Sequence, residues 1–269
     1  MRNADTMREE KIVVETAIEF SPHRHAYINP YNGCGMGCPF CYWLNDPCWE
    51  HRIQIRTNIC ERLEQALAKW DTGERISIGS VCDPFCEHEK KYRLTRRCLQ
   101  LLANYQIPVL ITTSATENIV REYLPLLESM RDRITVVIEL ARIPYLQAME
   151  RGMLHPGIEN ANFLHENGIR TWATLAPILP GITDVEQVGQ RLSPAIPLYM
   201  EELKCKEDST QGKRLLALIA GEYPQLLGTY QELLSHGGRE YFEKIWEKHK
   251  DRYFLKRFPF EHSEDERKP

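Results

Sequence analysis

The sequence predicts an α/β fold, a partial (β/α)6 TIM-like barrel followed by a C-terminal helical extension. Short apolar segments typical of buried strands alternate with longer segments whose apolar residues recur at helical spacing, which indicates βαβ units and a parallel sheet. About six such units precede residue 221, two fewer than a closed eightfold barrel contains, so an open barrel with a wide mouth is expected. The chain has 269 residues, of which 42% are hydrophobic, enough for one substantial core.

The predicted elements follow one another regularly along the chain. The first strand lies near His25–Tyr31 and enters a loop rich in glycine, cysteine and proline over residues 32–47. Five further strands are predicted at Arg75–Ser80, Pro108–Thr113, Ile134–Leu140, Ile169–Ala176 and Ala195–Leu203. Helices with one apolar stripe are predicted at about 58–70, 94–105, 119–130, 157–167 and 184–192, and another begins near Gln211.

These elements divide the chain into three expected regions. They are an N-terminal segment over residues 1–24, the barrel over 25–221 and a helical extension over 222–269. Apolar residues of the extension recur at helical spacing from Leu226 to Trp246. Its basic and aromatic residues between Lys244 and Phe260 also suit stacking on single-stranded nucleic acid, although a packed amphipathic helix explains them at least as well.

The composition indicates a soluble, cytoplasmic chain. No apolar stretch approaches the roughly 20 residues that span a bilayer, and the charged N-terminus lacks the apolar region of a secretory signal. A formal net charge of −4 does not favour a nucleic-acid partner, although a local basic patch stays open. Nine cysteines in the reducing cytoplasm favour metal binding or catalysis over disulfides.

Three cysteines form the strongest motif. Cys34, Cys38 and Cys41 lie within eight residues, with three and two residues between them, on the loop after the first predicted strand. Iron–sulfur cubanes are bound by such thiolates, normally by four. Three ligands on one loop leave one iron open to a substrate or cofactor, at the end of the barrel where such folds place their sites. Alternatively, Cys48 completes a four-cysteine structural zinc site.

The spacing Cys-x3-Cys-x2-Cys followed by an aromatic residue resembles the signature of the radical S-adenosylmethionine (radical SAM) family. The resemblance implies a [4Fe–4S] cluster held by the three cysteines, with SAM on the open iron and reductive cleavage of SAM to a 5′-deoxyadenosyl radical. It also implies an electron donor such as flavodoxin or ferredoxin. Segments within residues 25–205 resemble the spore photoproduct lyase-like branch, namely Asn29–Cys34, Cys82–Phe85 with Glu89, Leu94–Arg97 and Ala176–Gly181.

Polar residues at the ends of the predicted strands are candidates for binding SAM. The resemblance implies that the residue after the second strand approaches the amino end of SAM, and that those after the third and fourth strands approach its ribose and carboxylate. Hydroxyl groups in such positions also cap helices, and Ser114 or Thr116 suits the N-cap before Ile119. The candidates are Ser80, Thr113, Ser114, Glu139 and Arg142.

Cys82 is the candidate catalytic residue. It follows the second predicted strand, so it is expected to point toward the space above the three clustered cysteines. By resemblance to spore photoproduct lyases, a cysteine in this region returns a hydrogen atom to the product radical, although the aspartate that follows is spaced differently there. The alternative is a buried structural thiol.

The sequence therefore favours a radical SAM enzyme whose radical abstracts a hydrogen atom from a small-molecule or peptide-like substrate. One alternative is a DNA repair lyase like the spore photoproduct lyases, against which stand the acidic charge and a short C-terminal region with no evident DNA-reading element. A second alternative is a non-catalytic zinc-binding adaptor. Fold resemblance alone does not choose the substrate.

Overall fold

The computed structural model describes residues 7–71, 73–115, 119–251 and 255–257. Strands are β1 (Arg8–Ile12), β2 (Glu19–Phe20), β3 (Ala26–Ile28), β4 (Tyr31–Asn32), β5 (Arg52–Arg56), β6 (Ile76–Ile78), β7 (Val109–Thr113), β8 (Ile134–Glu139), β9 (Arg170–Leu175), β10 (Leu198–Met200) and β11 (Leu255–Arg257). Helices are α1 (Ile59–Leu67), α2 (Glu87–Tyr92), α3 (Leu94–Asn104), α4 (Ile119–Glu122), α5 (Leu124–Ser129), α6 (Ile143–Glu150), α7 (Pro156–Glu166), α8 (Val185–Arg191), α9 (Thr210–Glu222), α10 (Leu227–His236) and α11 (Arg239–His249).

The main sheet has the order β11-β10-β9-β8-β7-β6-β3-β2. Every neighbouring pair in it is parallel except β2 with β3. Helices separate β6 to β10 along the chain, so consecutive strands lie side by side in the sheet, as βαβ units require. Residues on both faces of β8 are buried, as in a parallel sheet covered on both sides. The predicted α/β fold with a parallel sheet is confirmed.

A second, smaller sheet lies beside the start of the barrel. Its strand order is β1-β5-β4, with β1 parallel and β4 antiparallel to β5. The predicted first strand, His25–Tyr31, is therefore two short strands in different sheets, β3 and β4. Residues Arg52–Arg56, for which no element was predicted, form a strand in which Ile53 and Ile55 are buried, as the alternation of apolar and polar residues there indicates.

Several helices also differ from the prediction. The predicted helix over residues 119–130 is split into α4 and α5 at Tyr123, and Pro125 lies in the first turn of the second helix. Helix α6 was not predicted, although its apolar residues recur every three positions and Pro144 lies in its first turn, a favoured place for proline. None of the helices in the described ranges is both long and apolar enough to cross a membrane.

The C-terminal region contains more than helices. Helices α10 and α11 are followed by β11, which pairs in parallel with β10 of the main sheet. Trp246, on α11, packs against the core. Thr116 and part of the basic and aromatic stretch between Lys244 and Phe260, namely residues 252–254 and 258–260, lie outside the described residues.

Candidate active site at the carboxyl ends of the strands

Cys34, Cys38 and Cys41 lie on the loop between β4 and β5. The start of this loop is held to its end, because the Cys34 amide donates to the Trp49 carbonyl at 3.0 Å. After Cys41 the chain forms a short 3-10 helix that begins at Tyr42. The Tyr42 hydroxyl donates to the Ser80 carbonyl just after β6, at 3.0 Å. The loop is thus fixed both to its own far end and to the barrel.

Burial raises the pKa of all three thiols in this loop. The pKa of Cys41 rises to about 11, and those of Cys34 and Cys38 are raised as well. The Cys38 thiol adds to the shift of both other cysteines, because ionising one thiol disfavours a second negative charge nearby. A cationic group bound among them would stabilise the thiolates against both effects.

Donors to the sulfur atoms test whether this loop fits an iron–sulfur cluster. Backbone N–H groups of Met36 and Trp43 oppose the pKa shifts of Cys34 and Cys41, respectively. The indole N–H of Trp43 is buried and has no hydrogen-bond partner in the described part of the chain. Since N–H donors to sulfur tune such clusters, the donor set of the loop fits a cluster bound by three thiolates.

The thiols share one region without converging on one point. Among the described residues, no group of three or more histidine, cysteine, aspartate or glutamate side chains is close enough together to hold a metal ion. Cys48, which the zinc alternative requires, is exposed. Its backbone amide donates to the Asp46 carboxylate at 2.8 Å, in the turn before β5.

The centre of the cysteine loop lies over the ends of β7 and β8. Met36 contacts one residue after each of these strands. Its carbonyl accepts a hydrogen bond of 3.1 Å from the Arg142 guanidinium, and its sulfur lies 3.6 Å from the Ser114 hydroxyl. The structure therefore brings two of the predicted SAM-binding residues next to the loop. Arg142 also lies over the Tyr145 ring, 5.2 Å from its centroid.

Asp83 organises two of the predicted strand-end residues. Its carboxylate accepts hydrogen bonds from the Thr113 hydroxyl at 2.7 Å and from the Ser114 amide at 2.8 Å. The Phe85 amide donates to it at 2.9 Å. Burial raises the pKa of Asp83, and these three donors oppose the shift. The buried Thr113 hydroxyl is therefore committed to an internal bond, and Ser80 contributes its carbonyl to Tyr42.

Glu139 differs from these residues because its carboxyl group lacks such a set of donors. It ends β8, beside Thr174 of β9 and near Glu201. Burial raises its pKa to about 7, the Glu201 charge adds to the shift and the Thr174 hydroxyl opposes it. A carboxyl group with a pKa near neutrality at the mouth of a barrel is available to accept or donate a proton.

Cys82 is buried in the loop that follows β6, against the start of the cysteine loop. Its thiol donates to the Gly33 carbonyl at 2.9 Å. The Cys86 thiol and burial raise the pKa of Cys82, so its proton is retained at neutral pH. The candidate catalytic thiol thus contacts Gly33, the residue before Cys34.

The other cysteines take structural positions. Cys98 is fully buried on the apolar stripe of α3, and its sulfur lies 3.8 Å from that of Cys60 on α1. Cys60 is also buried, whereas Cys205 is partly exposed.

Glu89 fastens the motif segments to one another beneath the site. Its carboxylate accepts hydrogen bonds from the hydroxyl groups of Tyr31 and Tyr123. The Thr95 and Arg96 amides at the start of α3 donate to it at 2.9 and 3.0 Å. These bonds join β4, α2, α3 and Tyr123, which lies between α4 and α5. The motif residues that make them therefore have a structural role.

A cleft of about 450 Å³ opens beside the cysteine loop. One wall is formed by residues 36–40 of the loop and includes Cys38, and the other by α6 and α9. Its lining is largely apolar, with Phe40, Tyr145 and Leu218 among the side chains, and Arg142 and Arg151 supply positive charge. The cleft could not be predicted from the sequence, because helix α6 was not predicted. Its contact with α9, where the Gln147 amide donates to Glu222 at 2.8 Å, joins residues far apart in the chain.

Comparison with protein families agrees with this geometry. The model of the radical SAM superfamily matches residues 28–189, more than half of the chain. The chain belongs to the radical SAM superfamily. The match extends from β3 to α8, so it includes the cysteine loop and every strand end described above. Radical SAM proteins use a [4Fe–4S] cluster and SAM, and membership implies an enzyme.

Two relatives are similar to this chain over most of its length. An uncharacterized protein of Methanocaldococcus jannaschii is 24% identical over 200 residues, which are 70% of this chain and 74% of the relative. One of Mycobacterium bovis is 24% identical over 241 residues, 80% of this chain and 68% of the relative.

Two solved structures share the fold of this radical SAM protein. One is a spore photoproduct lyase mutant with bound AdoMet and dinucleoside spore photoproduct, with a TM-score of 0.54 and 12% identity over 80% of this chain. The other is Streptococcus suis SuiB bound to the precursor peptide SuiA, with a TM-score of 0.52 and 17% identity over 87% of this chain. This chain spans 66% of the lyase chain and about half (48%) of the SuiB chain.

Proposed function

We propose that this protein cleaves SAM reductively at a [4Fe–4S] cluster bound by Cys34, Cys38 and Cys41, and that the resulting radical abstracts a hydrogen atom from a small-molecule or peptide-like substrate. The observation that carries the proposal is the set of three desolvated thiols on one loop, with the backbone N–H groups of Met36 and Trp43 near two of the sulfur atoms, inside the region that matches the family. When bound, the cluster and SAM supply the electron and the 5′-deoxyadenosyl radical.

The surrounding residues orient SAM and separate it from bulk water. Ser114 and Arg142 contact Met36, and the Ser80 carbonyl accepts from Tyr42 on the same loop, so the amino, ribose and carboxylate groups of SAM would be bound beside these residues. Glu139, with its pKa near 7, holds or releases a proton at the mouth. Asp83 keeps Thr113 and Ser114 in place.

The cleft beside Cys38 supports a peptide-like or other partly apolar substrate. Apolar side chains cover most of its walls, and Arg142 and Arg151 outnumber the one carboxylate, Glu222, which suits an acidic group on such a molecule. SuiB, which shares the fold, is bound to a precursor peptide. The second candidate is a DNA repair lyase, favoured by the fold shared with spore photoproduct lyase. Because a net charge of −4 disfavours a polyanion, we place it second.

Anaerobic reconstitution tests the proposal. Replacing Cys34, Cys38 or Cys41 by alanine should abolish iron and labile sulfide in the protein, together with formation of 5′-deoxyadenosine. Cys48→Ala is the matched control, because Cys48 is exposed on the same loop. If Cys48→Ala lost the metal as completely as Cys38→Ala, a four-cysteine site such as zinc would replace the proposal.

SAM should also change the electron paramagnetic resonance spectrum of the reduced wild-type cluster, because SAM binds the open iron in the proposed site. An unchanged spectrum at saturating SAM would contradict this contact. Salt-dependent DNA binding separates the two substrate classes, since phosphate contacts weaken steeply with salt.

A further inference from the structure

An ion pair joins the cysteine loop region to helix α9. The Arg214 guanidinium donates two hydrogen bonds to the Glu50 carboxylate, Nη2 to Oε1 at 2.7 Å and Nη1 to Oε2. The Glu50 side chain is 12% exposed and that of Arg214 30%. Such a two-bonded arginine–carboxylate pair is stronger and more exactly oriented than a single surface contact. The pair bridges 164 residues of sequence, so it exists only in the folded chain.

The Glu50 carboxylate lies directly against the cysteine loop. A Cβ added to Gly37 would meet Glu50 Oε1 at 3.9 Å. Gly37 has a φ of +70°, a conformation that glycine adopts without strain, and it immediately precedes Cys38. Glu50 therefore places a carboxylate beside the backbone that leads into Cys38, one of the three proposed cluster ligands.

Helix α9 is fixed to this loop at a second point. The Gln211 side-chain amide donates to the Tyr42 carbonyl at 3.1 Å and to Asn45 Oδ1 at 3.4 Å. Ser209 caps the helix by accepting from the Gly212 amide at 3.0 Å. One turn of α9 thus presents Gln211 and Arg214 to the same loop, which fixes where the guanidinium charge lies.

We propose that Arg214 is a positioning residue that cancels the charge of Glu50 beside the cysteine loop and thereby sets the reduction potential of the cluster. The inference rests on the proposed function, because it needs a cluster at Cys34, Cys38 and Cys41. The cluster must accept an electron before SAM is cleaved, and an uncompensated carboxylate nearby opposes the arrival of negative charge. Arg214 removes that opposition through its ion pair with Glu50.

Redox titration followed by electron paramagnetic resonance tests this role in the reconstituted full-length chain. Arg214→Gln leaves the Glu50 charge uncompensated and should make cluster reduction roughly tenfold less favourable, which is about 59 mV for a one-electron couple. Glu50→Gln leaves Arg214 uncompensated and should shift the potential in the opposite direction. The double variant Glu50→Gln/Arg214→Gln should return close to wild type, as should Arg214→Lys. Lys244→Gln, which breaks an exposed pair with Glu240 on α11, is the control and should leave the potential unchanged.

Opposite shifts from the two single variants would support the inference, since loss of a merely structural contact gives both variants the same defect. Shifts in the same direction, or none in either, would overturn it while leaving the proposed function intact. If Arg214→Gln assembles no cluster, the sign of the Glu50→Gln shift decides alone, and an unchanged or lowered potential refutes the inference. A wild-type chain that binds no cluster would instead refute the proposed function.

Discussion

Glu89 and Glu139 are two carboxyl groups removed from bulk water, about 50 residues apart, with opposite surroundings. Glu89 accepts four hydrogen bonds, two from tyrosine hydroxyl groups and two from backbone amides. Glu139 stands near another carboxylate, Glu201, and burial raises its pKa to about 7. A buried carboxylate that is fully hydrogen-bonded stabilises the fold, whereas one without sufficient donors is a candidate for chemistry. The difference separates the support of the site from its reactive surface.

Removal of the Glu89 charge gives the largest expected effect on stability. Glu89→Gln replaces one acceptor oxygen by an NH2 group, which faces two donors, so we expect a loss of about 3 kcal/mol in the free energy of unfolding. Equilibrium urea unfolding measures it. Glu128→Gln is the control, because Glu128 is exposed and its pair with Arg131 is worth roughly 0.5 kcal/mol. A loss below about 1 kcal/mol for Glu89→Gln would show that its four bonds are not what holds these segments together.

The pH dependence of the free energy of unfolding compares Glu139 with His155, a histidine before α7 that contacts Leu140 just after β8. His155 is buried, its Nε2–H donates to the Leu140 carbonyl at 3.1 Å, and its Nδ1 accepts from the Gly157 amide at 3.1 Å. The contact with Gly157 requires the neutral ring, whereas the Leu140 carbonyl accepts from the protonated ring as well. Burial lowers the pKa of His155 from 6.5 to about 4, and the Arg142 charge adds to the shift.

The two groups act in opposite directions over nearly the same pH range. Folded Glu139 binds its proton more tightly than the unfolded chain does, so its contribution to stability falls as pH rises from about 4.5 to about 7. Folded His155 binds its proton less tightly, so its contribution falls as pH drops from about 6.5 to about 4. Each shift corresponds to roughly 3 kcal/mol at full extent.

Wild-type stability should therefore vary little between pH 4 and pH 7 on account of these two groups, because they offset each other. In Glu139→Gln the free energy of unfolding should fall on acidification, and in His155→Asn it should rise. Denaturation at a series of pH values measures both slopes. Parallel slopes in the two variants would mean that Glu139 is an ordinary surface carboxylate, and the contrast with Glu89 would fail.

The sequence predicted the local patterns well and the long-range contacts poorly. The five later barrel strands were located from short apolar runs, because each such pattern is contained in one element. Arg52–Arg56 was missed despite its alternation. The Glu50–Arg214 pair could not be predicted, since its partners are brought together only by the packing of α9 on the cysteine loop. Asp83 stood beside the predicted Cys82, but nothing in the sequence shows that it binds Thr113.

Cys82 gives the smallest expected effect on stability and the sharpest test of the distinction drawn from the two glutamates. Its thiol is hydrogen-bonded to Gly33 and buried, so by that criterion alone it is structural. Cys82→Ala should then cost about 1 kcal/mol in the free energy of unfolding, and so should Cys98→Ala, which removes a buried thiol from α3.

The weak S–H bond of a protonated thiol also suits it to return a hydrogen atom to a substrate radical. In that role, Cys82→Ala keeps the cluster and SAM cleavage but diverts the substrate to aberrant products, while Cys98→Ala gives normal product. Normal product from Cys82→Ala at the wild-type rate, with unchanged incorporation of solvent deuterium, would show that Cys82 has only a structural role. The hydrogen bonding of a buried group would then be enough to distinguish structural residues from reactive ones at the mouth of the barrel.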